Sequence, residues 1–129
     1  MRQATVNIDA DFLRRVYNGD DPQGFGKFVG EAAASPDFLV MAFQPAALGI
    51  VELRTSNYEL GKVAYGHCLS GNWDILRIGL EVARLAGCRH FLYPIAHDQA
   101  NRAQLEHVLS GRYHFEPYQH LFIRRIDEH

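Results

Sequence analysis

Residues Trp73 to Ala86 read WDILRIGLEVARLA, with Asp74, Arg77, Glu81 and Arg84 spaced three and four apart. That spacing gathers the four charges into one stripe of a helix and leaves its remaining faces apolar. Ser70 or Asn72 supplies a cap, Asp74 suits the positive end of the helix dipole, and Gly87 can close the last turn. A strand-like segment precedes this helix and another, Arg89 to Ile95 (RHFLYPI), follows it. A strand, a helix and a second strand in that order form a right-handed parallel crossover within one sheet. The chain is therefore an α/β protein.

The rest of the chain is read around that unit. Phe12, Leu13, Val16 and Tyr17 fall at helical spacing behind Asp9 or Asp11, and a short second helix is expected over Gly26 to Ala34, before Ser35-Pro36. Asp37 to Phe43 and Ala47 to Arg54 read as strands joined through Pro45, with Val51 and Leu53 facing away from Glu52 and Arg54. Tyr58 to Cys68 reads as a third strand, interrupted at Gly61 and Gly66, where a bulge or a close approach is expected. Asn101 to Leu109 predicts a helix ended by Gly111, and Tyr113 to Glu116 and Gln119 to Ile126 read as two strands turning at Pro117. A further strand is possible at Ala4 to Ile8. The length, 129 residues, fits a single domain spanning the whole chain.

Composition excludes several function classes. Thirteen Lys and Arg against fifteen Asp and Glu give a net charge of −2, which disfavours nucleic acid as a partner. No apolar run reaches the roughly 18 residues of a membrane span. The start, Met1 to Thr5, lacks the apolar core of a signal peptide, so a cytoplasmic protein is expected. Two cysteines, Cys68 and Cys88, suit a reduced compartment. Seven histidines invite a metal, but they show neither a His-x₃-His pair nor an HExxH helix, and no metal is expected.

The order of elements, with Ala86-Gly87-Cys88-Arg89 ending the long helix, Asn101 opening a short one and Gly111-Arg112-Tyr113-His114-Phe115 after it, resembles the GNAT acyltransferases. The resemblance covers residues 38–126. It implies a mixed, mostly antiparallel central sheet with one parallel crossover, flanked by about four helices. It also implies acetyl-CoA as co-substrate, with the pyrophosphate on backbone N–H groups where the long helix begins. Counting back from Gly87 puts His67, Ser70 and Asn72 at the three positions of that family's Arg/Gln-x-x-Gly-x-Gly/Ala loop, so neither glycine is in register and Gly71 lies between. Tyr65 and Trp73 are candidates for stacking on the cofactor, and Asn101 for a pantetheine contact or simply a helix cap.

For the chemistry, the resemblance implies a glutamate on the strand before the loop and a tyrosine on the last helix. Glu59 takes the first position as candidate base. The second falls on His107 or Val108, and His107 is the candidate acid. Each has a plain alternative, a solvated carboxylate for Glu59 and a polar helix face for His107. Two functions follow: transfer of an acetyl group to an amine, or a binding protein of the same fold that has lost turnover, of the kind found among phage proteins. Partners are then an acyl-CoA and an amine, or another protein; a homodimer is a further expectation from the family.

Overall fold

The computed structural model describes residues 7–70, 73–96, 98–119, 121–122 and 124–126. Helix α1 spans Ala10–Val16 and α2 spans Pro22–Ala34. Strands β1 (Phe38–Phe43), β2 (Ala47–Asn57) and β3 (Gly61–Ser70) follow, then helix α3 (Trp73–Leu85), strand β4 (His90–Leu92) and helix α4 (Arg102–Tyr113). The sheet has the order β1-β2-β3-β4. Its first two pairings are antiparallel, and β3 pairs β4 in parallel through the α3 crossover. The fold class read from the sequence is the one found. The chain divides into two compact units, Met1–Pro94 and Ile95–His129.

Local chemistry explains the boundaries. Asp9 caps α1, its Oδ1 accepting the Phe12 N–H at 2.9 Å, and Asp21 caps α2, its Oδ1 accepting the Gly24 N–H at 3.0 Å. The second helix therefore begins at Pro22, earlier than the Gly26 start expected from Gly24 and Gly26. Proline fits the first helical turn, where its missing N–H has no helical partner to lose. Gly61 (φ 76°) makes the turn after Tyr58–Leu60, so the third strand begins at Gly61 and runs on to Ser70. Gly87 (φ 89°) ends α3 as expected, while the Lys62 ammonium donates to the Ala86 carbonyl.

Within the first unit the sheet is covered on both faces. Phe12, Val29 and Ala32 from α1 and α2 bury against Leu48 and Ile50, with Phe25, Phe28, Phe38 and Val40 packed around them. On the other face Met41, Val51 and Ala64 meet Ala83 of α3, with Leu69, Ile78 and Phe91 beside them. The first turn of α3 approaches the sheet closely because Gly49 has no side chain. A Cβ there would lie 2.7 Å from Ile75 Cγ2 and 2.9 Å from Met41 Cε. Gly49→Val is expected to cost about 1–3 kcal/mol by overpacking, read as a shift in the urea midpoint with unchanged slope.

The second unit contains α4 and the segment after it. Gly111 does not end this helix, which continues to Tyr113; His114 takes the left-handed cap (φ 62°), and the Phe115 N–H reaches back to the Leu109 carbonyl at 2.9 Å. The expected strands at Tyr113 to Glu116 and Gln119 to Ile126 are replaced by that helix end and, among the described residues, by irregular chain. Leu121, Phe122 and Ile126 are exposed. The expected strand at Ala4 to Ile8 lies largely outside the described residues, and Asn7 and Ile8 are irregular.

Candidate active site

The site is built by an irregularity in β3. Ile50 faces Cys68 and Val51 faces Gly66, so His67 is an extra residue in the ladder. Such a bulge bends its strand and leaves one residue without a cross-strand partner. It also resets the side-chain alternation. Tyr65 and His67 lie on the face covered by α1 and α2, whereas Leu69, which alternation alone would put with them, packs on the α3 side.

The neighbouring parallel strand parts from β3 at the same level. Pairing runs Val63↔His90, Ala64↔Phe91 and Tyr65↔Leu92 and then stops, although β3 continues to Ser70. Continued register would bring Pro94 opposite His67, and proline has no N–H to offer a ladder. Bulge and proline together open the sheet between the carboxyl ends of two parallel strands, where ligands bind in open α/β sheets. Helix α3 begins just beyond, at Trp73, so the positive end of its dipole lies at that end of the sheet.

On the α1–α2 face of the parting, polar groups converge in an aromatic setting. His67 Nε2 lies 2.7 Å from Glu52 Oε1, and Arg54 Nη2 lies 3.1 Å from the same oxygen. The His67 and Glu52 side chains are 23% and 22% exposed. The rings of Tyr65, Phe28 and Phe38 lie 4.8, 5.3 and 5.5 Å from that of His67. The Arg54 guanidinium sits 4.1 Å above the Tyr65 ring. Burial alone would raise the Glu52 pKa, but the hydrogen bonds from His67 and Arg54, with their charges, outweigh it and hold the carboxyl below its usual value.

That depression has a consequence for stability. A carboxylate with a lowered folded pKa stabilises the fold above its unfolded value, near 4.5, and the contribution is lost as pH falls through the folded value. The difference in stability between the wild type and Glu52→Gln is therefore expected to shrink below pH 4.5, as measured by urea unfolding across an acid series. Glu81, lowered by the hydrogen bond from Arg84, titrates in the same window and is common to both proteins.

The residues singled out from the sequence are distributed as follows. Tyr65 and His67 are brought together. Ser70 ends β3, and its hydroxyl donates to the Val16 carbonyl at 3.2 Å, tying the end of α1 to the site. Its single proton is thus engaged. Trp73, half-buried, is the first residue of α3, while Gly71 and Asn72 lie outside the described residues. Glu59 is in the turn before β3, exposed, at the opposite end of the strand from Ser70, and it raises the pKa of Tyr58 through a hydrogen bond. Asn101 and His107 belong to the second unit. Asn101 precedes α4 without capping it, its Oδ1 accepting from Gln99 Nε2 at 2.9 Å, and His107 is exposed on that helix. Among the described residues no group of three metal-ligating side chains forms, and no helix is long and apolar enough to cross a membrane.

Sequence reasoning missed Glu52 and Arg54 as site residues. Their alternation with Val51 and Leu53 gave them the same face, but the pairing that sets Tyr65 and His67 on that face is a register between two strands, which no local signal marks.

A mixed sheet with one parallel crossover, a bulged strand parting from its neighbour and a helix starting at the parting define the GNAT acetyltransferase fold. Three solved structures share it with this chain. The aminoglycoside 6′-N-acetyltransferase of Acinetobacter haemolyticus superposes with a TM-score of 0.64 at 14% identity, covering 92% of this chain and 90% of that one. The protein TTHA1254 of Thermus thermophilus, as a point mutant, gives 0.62 at 15% identity over 95% and 96%. The glucosamine-6-phosphate N-acetyltransferase of Arabidopsis thaliana gives 0.54 at 12% identity over 92% and 88%. No protein-family model matches the sequence, and no curated protein matches it.

Proposed function

We propose that the protein transfers an acetyl group from acetyl-CoA to a primary amine. The observation that carries this reading is the parting of β3 from β4 at the His67 bulge, with the N-terminal end of α3 beyond it. The parting gives a thioester arm room between two strands and places unpaired backbone donors of the bulge near its carbonyl. The helix start receives the pyrophosphate through the backbone of Ser70, Gly71, Asn72 and Trp73. Tyr65 lines the opening.

On this reading His67 is the base. It takes a proton from the substrate ammonium, the freed nitrogen lone pair attacks the thioester carbonyl, and the tetrahedral intermediate expels the CoA thiolate, which takes up the second nitrogen proton to leave amide and CoA thiol. Glu52 orients the imidazole. Glu59 is the competing base, and His107 is an acid for the departing thiolate. Asn101 is a contact for the pantetheine arm. The protein would act in the cytoplasm without a metal, and a homodimer fits the fold.

Calorimetric titration with acetyl-CoA tests the reading. Micromolar binding, weakened at least tenfold in Asn72→Asp by charge repulsion, is the expected result. Absence of binding at millimolar cofactor sinks it. The second reading, a partner-binding protein without turnover, is favoured by Leu121, Phe122 and Ile126, which expose 79%, 96% and 95% of their surface.

A further inference from the structure

Two donors converge on one atom in this site: Glu52 Oε1 lies 2.7 Å from His67 Nε2 and 3.1 Å from Arg54 Nη2. A neutral imidazole has one N–H and one lone pair, and its two nitrogens exchange roles with the tautomer. An ionised carboxylate only accepts, so the nitrogen facing it must carry the proton; a protonated carboxyl would permit the reverse. The state of Glu52 therefore decides which nitrogen of His67 is basic.

Arg54 is placed to hold that carboxylate oxygen against His67. Its guanidinium is positively charged at any working pH, bears on the oxygen that receives His67, and sits 4.1 Å above the Tyr65 ring. Tyr65 lies 4.8 Å from the His67 ring, which closes a loop of contacts: Arg54 to Tyr65, Tyr65 to His67, His67 to Glu52, Glu52 to Arg54. The Phe28 and Phe38 rings, 5.3 and 5.5 Å from the imidazole, crowd it and hinder its reorientation. The tautomer, rather than a turn of the ring, then sets where the lone pair points.

We infer that Arg54 is a positioning residue: it holds the ionised Glu52 carboxylate against Nε2 and so fixes His67 as the Nε2–H tautomer, with Nδ1 as the atom that accepts the substrate proton. The catalytic part of this inference rests on His67 being the base, but the tautomer can be measured without any substrate.

The experiment is long-range nitrogen–proton NMR of the ¹⁵N-labelled full chain, about two units above the ordinary imidazole pKa, with His67→Gln to assign the signal. The wild type is expected to show Nδ1 in the unprotonated range and Nε2 in the protonated range. Arg54→Met should give a mixture of tautomers with an unchanged circular dichroism spectrum, and Arg54→Lys should recover part of the wild-type signal by restoring the charge. A wild type dominated by Nδ1–H, or an Arg54→Met spectrum identical to the wild type, overturns the inference. In turnover, Arg54→Met is expected to lower kcat about tenfold, less than loss of the base itself, with KM for acetyl-CoA unchanged. The Nε2–H tautomer in a protein that acetylates nothing would refute the functional reading and leave the tautomer assignment standing. The reverse tautomer in an active enzyme would do the opposite.

Discussion

His67→Ala is expected to lower kcat for amine acetylation by about 10²–10⁴-fold, the usual contribution of a positioned acid or base, while acetyl-CoA binding by calorimetry stays within a factor of a few. The argument is geometric. His67 is the extra residue of the β3 bulge, its imidazole is 2.7 Å from a carboxylate, and it stands where β3 leaves β4. On the proposed reading the cofactor's pyrophosphate is held further along, at the start of α3, so a loss confined to kcat separates proton transfer from binding. Glu59→Gln is the paired comparison. Equal loss in the two variants would share the role between them, and loss only in Glu59→Gln would return the base to the turn before β3.

The largest stability effect is expected at Phe12. The ring is 1% exposed and sits in the core between α1, α2 and the sheet, although α1 has only seven residues. A helix that short has little stability of its own, so its position depends on this anchor. Phe12→Ala is expected to cost about 3–5 kcal/mol, measured by denaturant unfolding. Because α1 ends in the Val16 carbonyl that receives the Ser70 hydroxyl, the same variant should also weaken acetyl-CoA binding under conditions where the protein remains folded.

What the sequence revealed, and what it withheld, follows from the range of the interactions involved. The long helix was legible nearly to the residue, Trp73 to Leu85 against an expected end at Ala86, because its charge stripe and Gly87 are local signals. The first helix, the hairpin at Pro45 and the parallel crossover were legible for the same reason. The start of α2 was misplaced although Asp21-Pro22 is a cap and first-turn pair, since Gly24 and Gly26 argued against helix over the same residues. The segment after α4 has strand-forming residues, but a strand exists only against a partner, and local preference cannot supply one. Glu52 beside His67 is a matter of register across two strands. Alternation placed Glu52 and Arg54 on one face of β2 and Tyr65 and His67 on one face of β3, and only the pairing register made the two faces one.

That bulge also bears on how such a chain can vary. Before it, β3 presents Tyr65 to the α1–α2 layer and Gly66 to α3; after it, Leu69 serves the α3 side and Ser70 the α1 side. Loss of one of the two residues between Gly66 and Leu69 would restore simple alternation while leaving Leu69 opposite Gly49 and Ser70 opposite Leu48, so the end of the strand would keep its layers and lose its bend. Substitutions in this stretch change a side chain, whereas a single deletion removes the irregularity that bends β3 where it leaves β4. Length here is the inherited quantity least free to drift.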